Sequence, residues 1–216
     1  MDAALIFIRG DVMSTMGFLI RDIPVLYCSN QIIYENGISK GLRYNEGIDI
    51  SLARQISKNQ ISGCTMVFNK ALVEQIISKE CPPAEIIDFR MHDAWIYLVA
   101  LLTGMVVYDD DAQILYRIHD RNEVGVRGVT IFEKLGRLIG YGKGGTRRGN
   151  LRKKSAEWLL RQYSCIKPED RAFLEKYANY QKSFKDRLSL LRDKELIKAA
   201  GEGYWIFLIK VLMNFV

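Results

Sequence analysis

Two His-Asp pairs mark where this 216-residue chain could do chemistry, His92-Asp93 and His119-Asp120, and together they use both histidines present. A carboxylate beside an imidazole suits general acid–base work, and an imidazole by itself can also bind a metal. Three consecutive aspartates, Asp109-Asp110-Asp111, lie between the pairs. A polar run of that kind reads first as a solvated turn. Cys28, Cys64, Cys81 and Cys165 are widely separated and have no CxxC spacing. They read as reduced thiols of a cytosolic protein rather than as disulfides or a zinc site.

The elements that hold these groups follow from the surrounding pattern. The apolar run after Asp93 is too short to span a membrane but long enough for a buried helix, and Gly104 stops it. Residues 105–108 and 113–117 read as two short strands around the acidic turn. One His-Asp pair therefore opens a buried helix, and the second His closes the strand that follows it. Upstream, VLYCSNQIIY is rich in β-branched and aromatic residues and predicts a strand, ended by a turn at Glu35-Asn36-Gly37. Residues 50–58 predict a short helix capped by Asp49 or Ser51. Residues 61–68 predict a strand entered through Ser62-Gly63, and Asn69 then caps a helix to about residue 79 that Cys81-Pro82-Pro83 ends. Such alternation indicates a layered α/β domain. Residues 1–22 read as one or two short helices.

Composition supports a packed protein, with 49% hydrophobic and 26% charged residues. The net charge of +6 is unevenly placed: residues 1–128 carry 12 Lys and Arg against 16 Asp and Glu, whereas residues 129–216 carry 19 against 9. That asymmetry divides the chain into an α/β part, 1–128, and a basic helical tail, 129–216, suited to an anionic partner. Residues 129–139 predict an amphipathic helix. Residues 140–154 hold six cations, five glycines and no acid, which reads as a flexible basic loop. The loop meets neither the dinucleotide fingerprint nor the Walker pattern. Residues 155–163 and 168–200 predict two or three helices with charged outer faces. The final stretch, GYWIFLIKVLMNFV, either packs under those helices or lies in a bilayer interface through Tyr204 and Trp205. An anionic membrane surface is thus one expected partner of residues 140–154 and 204–216. Nucleic acid is the poorer fit, because the cationic run has no interleaved aromatics. The opening MDAALIFIRGD has no signal-peptide pattern, and no stretch reaches membrane-spanning length.

Three ordered runs carry a family resemblance: ISGCTMVFNKAL, MHDAWIYLVALLTG and ILYRIHDRNEVG, preceded by LYCSNQIIYENG. Over residues 24–128 the chain resembles the C-terminal half of a family 2 glycosyltransferase, in particular the rhamnosyltransferase-like enzymes of bacterial O-antigen and capsule synthesis. The resemblance implies a partial GT-A fold followed by an α-helical C-terminal region. It implies inverting transfer of a sugar from a nucleotide-sugar donor to a glycan or lipid-linked acceptor, in the cytoplasm or on the inner face of the cell membrane. Asp93 then corresponds to the general base, within a His-Asp-x-Trp motif, with His92 and Trp95 against substrate. Ser62-Gly63 would let backbone approach the donor, and Arg117 would offer charge to its phosphates. His119 would sit on a divalent cation, Mn or Mg, or on the diphosphate. The family's nucleotide-binding βαβ unit and Asp-x-Asp motif do not precede Val25, so the resemblance implies a truncated or split enzyme. The competing reading is a non-catalytic remnant whose basic helical tail binds membrane or nucleic acid.

Overall fold

The computed structural model describes residues 22–118, 150–201, 203–214 and 216. Its central strand is β1 (Val25–Glu35), the β-branched and aromatic run expected from sequence. Asn36 and Gly37, at φ 51° and 83°, turn the chain through the left-handed region that a two-residue hairpin requires, and β2 (Ile38–Leu42) returns antiparallel. Of the two caps expected for helix α1 (Leu52–Ser57), Ser51 is the one used, and Asp49 braces it. Ser51 Oγ accepts from the Arg54 N–H, and Asp49 Oδ1 accepts from the Ser51 N–H.

The strand expected over residues 61–68 is mostly a turn. Thr65 donates both its backbone N–H and its hydroxyl to the Ser62 carbonyl, at 3.0 and 2.9 Å, closing a 3-10 turn over Gly63–Thr65. Only β3 (Val67–Phe68) is left to pair, antiparallel with the start of β1. Asn69 caps α2 (Lys70–Ile77) by accepting from the Leu72 N–H, and the same oxygen accepts from the Val25 N–H. One side chain therefore fixes a helix start against the central strand.

Helix α3 (Ala84–Thr103) begins after Pro83 and is interrupted at Met91, whose φ and ψ of 63° and 157° are not helical. Gly104 ends it, and a Cβ there would lie 1.9 Å from the Pro24 carbonyl oxygen, so only glycine lets the chain turn so close to the start of β1. The chain continues as β4 (Met105–Ile118), parallel to β1 along its whole length. Two strands around an acidic turn had been expected here, and the structure has one. In the register Ser29 faces Asp109 and Asn30 faces Ala112, so Asp110 and Asp111 bulge out of a continuous ladder instead of reversing the chain. The result is a small mixed sheet with β1 in the middle. β4 lies along one side of β1, and β2 and β3 take different stretches of the other.

Among the described residues the C-terminal part has five helices: α4 (Leu151–Gln162), α5 (Pro168–Asn179), α6 (Phe184–Arg192), α7 (Lys194–Ala200) and α8 (Tyr204–Leu212). Their starts use ordinary devices, Pro168 in the first turn of α5, Ser183 capping α6 and Asp193 capping α7. One hydrophobic core runs from Leu26, Ile56 and Leu98 through Leu159 and Tyr177 to Phe207 and Val211, so the helical part shares the interior of the α/β part. Helix α4 also begins at Leu151, ahead of its expected start, and absorbs the end of the cationic run. Arg152 donates to the Ser57 carbonyl, Lys153 to Gln181 and Lys154 to Glu85. These three cations are fastened to the protein rather than carried on a loop. Residues 140–149, with the helix expected at 129–139 and most of the N-terminal stretch 1–22, lie outside the described residues. Among the described residues no helix is long and apolar enough to cross a membrane.

Candidate functional site

The break in α3 decides where Asp93 stands. A non-glycine residue in Met91's conformation is held at a cost of roughly 1–3 kcal/mol. It places His92 and Asp93 in the first turn of the limb 92–103, which is the helix start expected from sequence, although a further helical limb precedes it. Asp93 is only 7% exposed. Its Oδ2 accepts from the Gly63 N–H at 3.1 Å, and its Oδ1 accepts from the Ala94 N–H at 2.7 Å. A Cβ on Gly63 would sit 3.2 Å from the Asp93 Cβ and 3.6 Å from His92 Nε2, so glycine is what allows this approach. His92 itself is exposed at the rim. Ser62-Gly63 and His92-Asp93, two pairs singled out in sequence, therefore meet in space.

Polar side chains that sequence reasoning passed over hold this meeting point. Asn59 accepts from the Ile61 N–H at 3.0 Å and donates to the Ile61 carbonyl at 2.8 Å, and it also accepts from Gln55 Nε2. Gln55 Nε2 donates in addition to the Ala94 carbonyl. Helix α1 thus hooks the 59–61 segment onto α3 next to Asp93. From the sheet, buried Gln31 accepts from Arg43 at 2.8 Å and from Ser62 Oγ at 3.3 Å, while its Nε2 donates to Cys64 Sγ. Arg43 also donates to Ser62 Oγ, and its guanidinium lies 5.5 and 5.9 Å from the ring centres of Tyr44 and Tyr116. Asn30 braces Tyr44 by donating to its carbonyl and accepting from its N–H. A guanidinium, an amide, a hydroxyl and a carboxylate are thereby brought together from the middle of β1, the 3-10 turn and the break in α3. The sequence did contain a signal: Ser29-Asn30-Gln31 interrupts an otherwise apolar central strand with three buried polar residues.

Other expected site residues fall elsewhere. Trp95, expected against substrate, is 5% exposed and belongs to the hydrophobic core. Arg117 pairs in register with Tyr34 and, by strand alternation, faces away from the side that Gln31 and Tyr116 share. Arg43, not Arg117, is the cation of this cluster. His119 lies outside the described residues. Asp109 accepts from the Tyr27 hydroxyl at 2.7 Å and from the Asp111 N–H, so it braces the bulge. Burial first, and then Asp109, pushes the Tyr27 pKa up. Among the described residues no three His, Cys, Asp or Glu side chains converge as a metal centre. All four cysteines are free, and burial pushes the Cys28 thiol up to about 12, leaving it protonated and unreactive. An open groove of about 450 Å³ lies away from Asp93, lined by Lys176, Lys185, Leu188, Ser189, Arg192 and Asp193.

Compared with family models, curated proteins and solved structures, the chain matches none.

Proposed function

We propose that residues 22–118 are the acceptor side of a GT-A glycosyltransferase, in which Asp93 removes the proton from an acceptor hydroxyl as that hydroxyl attacks the anomeric carbon of a nucleotide-sugar. The observation that carries this reading is a buried carboxylate at a strained helix break, held by two backbone N–H groups beside a glycine and an exposed histidine. Strain of this kind collects where a side chain must be aimed. Each carboxylate oxygen has a second lone pair beyond the one its N–H partner uses, which is enough to take a proton. The C–O bond to the diphosphate breaks on the opposite face of the sugar, giving inversion, and the leaving group carries the electron pair away. Arg43, held by Gln31 and Ser62, supplies positive charge near that departing group. Of the divalent cation implied by resemblance, only its chemistry is carried over: it would neutralise the diphosphate. The substrates proposed are a nucleotide-sugar, rhamnose or another hexose, and a glycan or lipid-linked acceptor of bacterial surface polysaccharide.

The test adds the whole chain to membranes bearing lipid-linked glycans, with a panel of labelled nucleotide-sugars. Because the resemblance leaves out the nucleotide-binding half, label should move to the glycan where the membranes also supply a donor-binding half. Asp93→Asn should then cut transfer by roughly 10²–10⁴-fold, the span of a lost general base. Equal transfer by the parent chain and the Asn variant would remove Asp93 from the chemistry. No transfer by either would favour the non-catalytic remnant.

A further inference from the structure

We propose that the exposed face of α8 docks this chain onto an anionic lipid bilayer. The helix has two apolar faces. Phe207 and Val211 are wholly buried against the other helices, whereas Trp205, 73% exposed, stands with Ile209, Leu212 and Met213 on the solvent side. Their spacing sets them in one stripe along the helix. Tyr204 lies edge-on to Trp205 with ring centres 5.6 Å apart. Large apolar side chains exposed together mark a surface that gets covered. A Tyr-Trp pair at one end suits the headgroup zone, where a ring can keep one side apolar and the other wet. With nine residues, α8 is too short to cross a bilayer, so its place is in the plane of the interface.

Charge selects the occupant. Helices α6 and α7 both pack against α8. They expose Lys185, Arg192, Lys194 and Lys198, against one exposed acid, Glu195, and two half-buried ones, Asp186 and Asp193. Lys185 and Arg192 also border the open groove that contains Lys176. Cations beside an apolar stripe complement a layer of anionic headgroups above acyl chains. A second copy of the chain would instead bring like charges together. The inference stands apart from the transfer chemistry, since a chain with no transferase activity would dock in the same way.

Trp205 supplies the readout. The whole chain is titrated with phosphatidylglycerol-containing vesicles and with pure phosphatidylcholine vesicles, at low and high salt, following emission and co-sedimentation. Anionic vesicles should shift the emission to the blue and allow quenching by brominated lipid, and salt should weaken binding by screening the exposed cations. Trp205→Phe should abolish the spectral change while leaving sedimentation, which assigns the signal. Ile209→Ser with Leu212→Ser should weaken sedimentation about tenfold or more, since each loses an inserted apolar side chain. The thermal midpoint should not move, because both positions are exposed. Equal binding to neutral vesicles, or none to anionic ones, would overturn the proposal. So would a Trp205 already shielded from acrylamide in lipid-free protein, because the stripe would then be covered by this chain or by a second copy.

Discussion

Arg90 and Asp93 stand three residues apart on α3, on opposite sides of its break, and both are buried charges with backbone partners. Their surroundings differ in kind. Arg90 donates to Ser155 Oγ at 2.8 Å and to the carbonyls of Gln55 and Ile56, locking α3 to α1 and α4 inside the core. Burial, and then the neighbouring Arg152 guanidinium, pulls its pKa down to about 9. Asp93 meets a glycine and follows the exposed His92. Arg90 and Asp93 are equally buried, so what separates them is their partners: Arg90, a fastener, ties side chain and backbone of two other helices together, whereas Asp93 is held only by backbone N–H groups beside strained backbone.

The contrast is sharpest in stability. Arg90→Met should cost about 3 kcal/mol in urea unfolding, because three buried acceptors lose their donor, while transfer per folded molecule stays near the parent value. Asp93→Asn should cost only about 1 kcal/mol, since the amide oxygen can still take one of the two N–H groups. If the two variants lost equal stability, the distinction between fastener and site would fail. Gly63→Ala comes next. Its Cβ meets Asp93 at 3.2 Å, so it should cost about 1–2 kcal/mol by overpacking and should lower transfer by roughly tenfold through displacement of the carboxylate.

Met91→Gly should raise stability by up to about 1 kcal/mol by relieving the positive-φ strain, partly offset by the freer unfolded chain. A fall in transfer together with that gain would tie the strain to function. The smallest effect expected is one of pH, in the helical part. Burial alone would raise the Asp193 carboxyl, but Lys176 at 2.6 Å and the Leu196 N–H bring it below the ordinary carboxylate value. Its contribution is therefore complete above the unfolded pKa and is lost as pH falls through the folded one. The difference between the parent chain and Asp193→Asn should be about 0.5 kcal/mol at neutral pH, limited by partial solvation of Lys176, and should vanish in acid.

Much of the fold was legible wherever one local rule dominates. Asn36-Gly37 specified its turn, Ser51 and Asn69 their caps, and Gly104 the end of α3, because each acts within a few residues of itself. The two strands expected around the aspartates were misjudged for the same reason. Three acidic residues do favour a turn locally, but the parallel ladder with β1 absorbs two of them as a bulge. Trp95 and Arg117 were assigned by motif position, which carries no information about the face each presents. Arg43, Gln31, Asn59 and Gln55 were not singled out, since a polar residue in a strand, loop or helix becomes informative only once its partners are known.

Sequence by itself therefore determined the short-range features of this protein, its turns, caps and helix stops, and the pairing of chemically capable residues as Ser62-Gly63 and His92-Asp93. Only the tertiary structure decided that those two pairs touch, that Arg90 is a fastener, and that α8 buries one apolar face and presents the other. The physical reason is range. Caps and turns are hydrogen bonds between near neighbours, with an energy nearly independent of the rest of the chain. A buried carboxylate beside Gly63, or an exposed Trp205, is defined by groups brought close through packing of the whole core, which no window of residues contains.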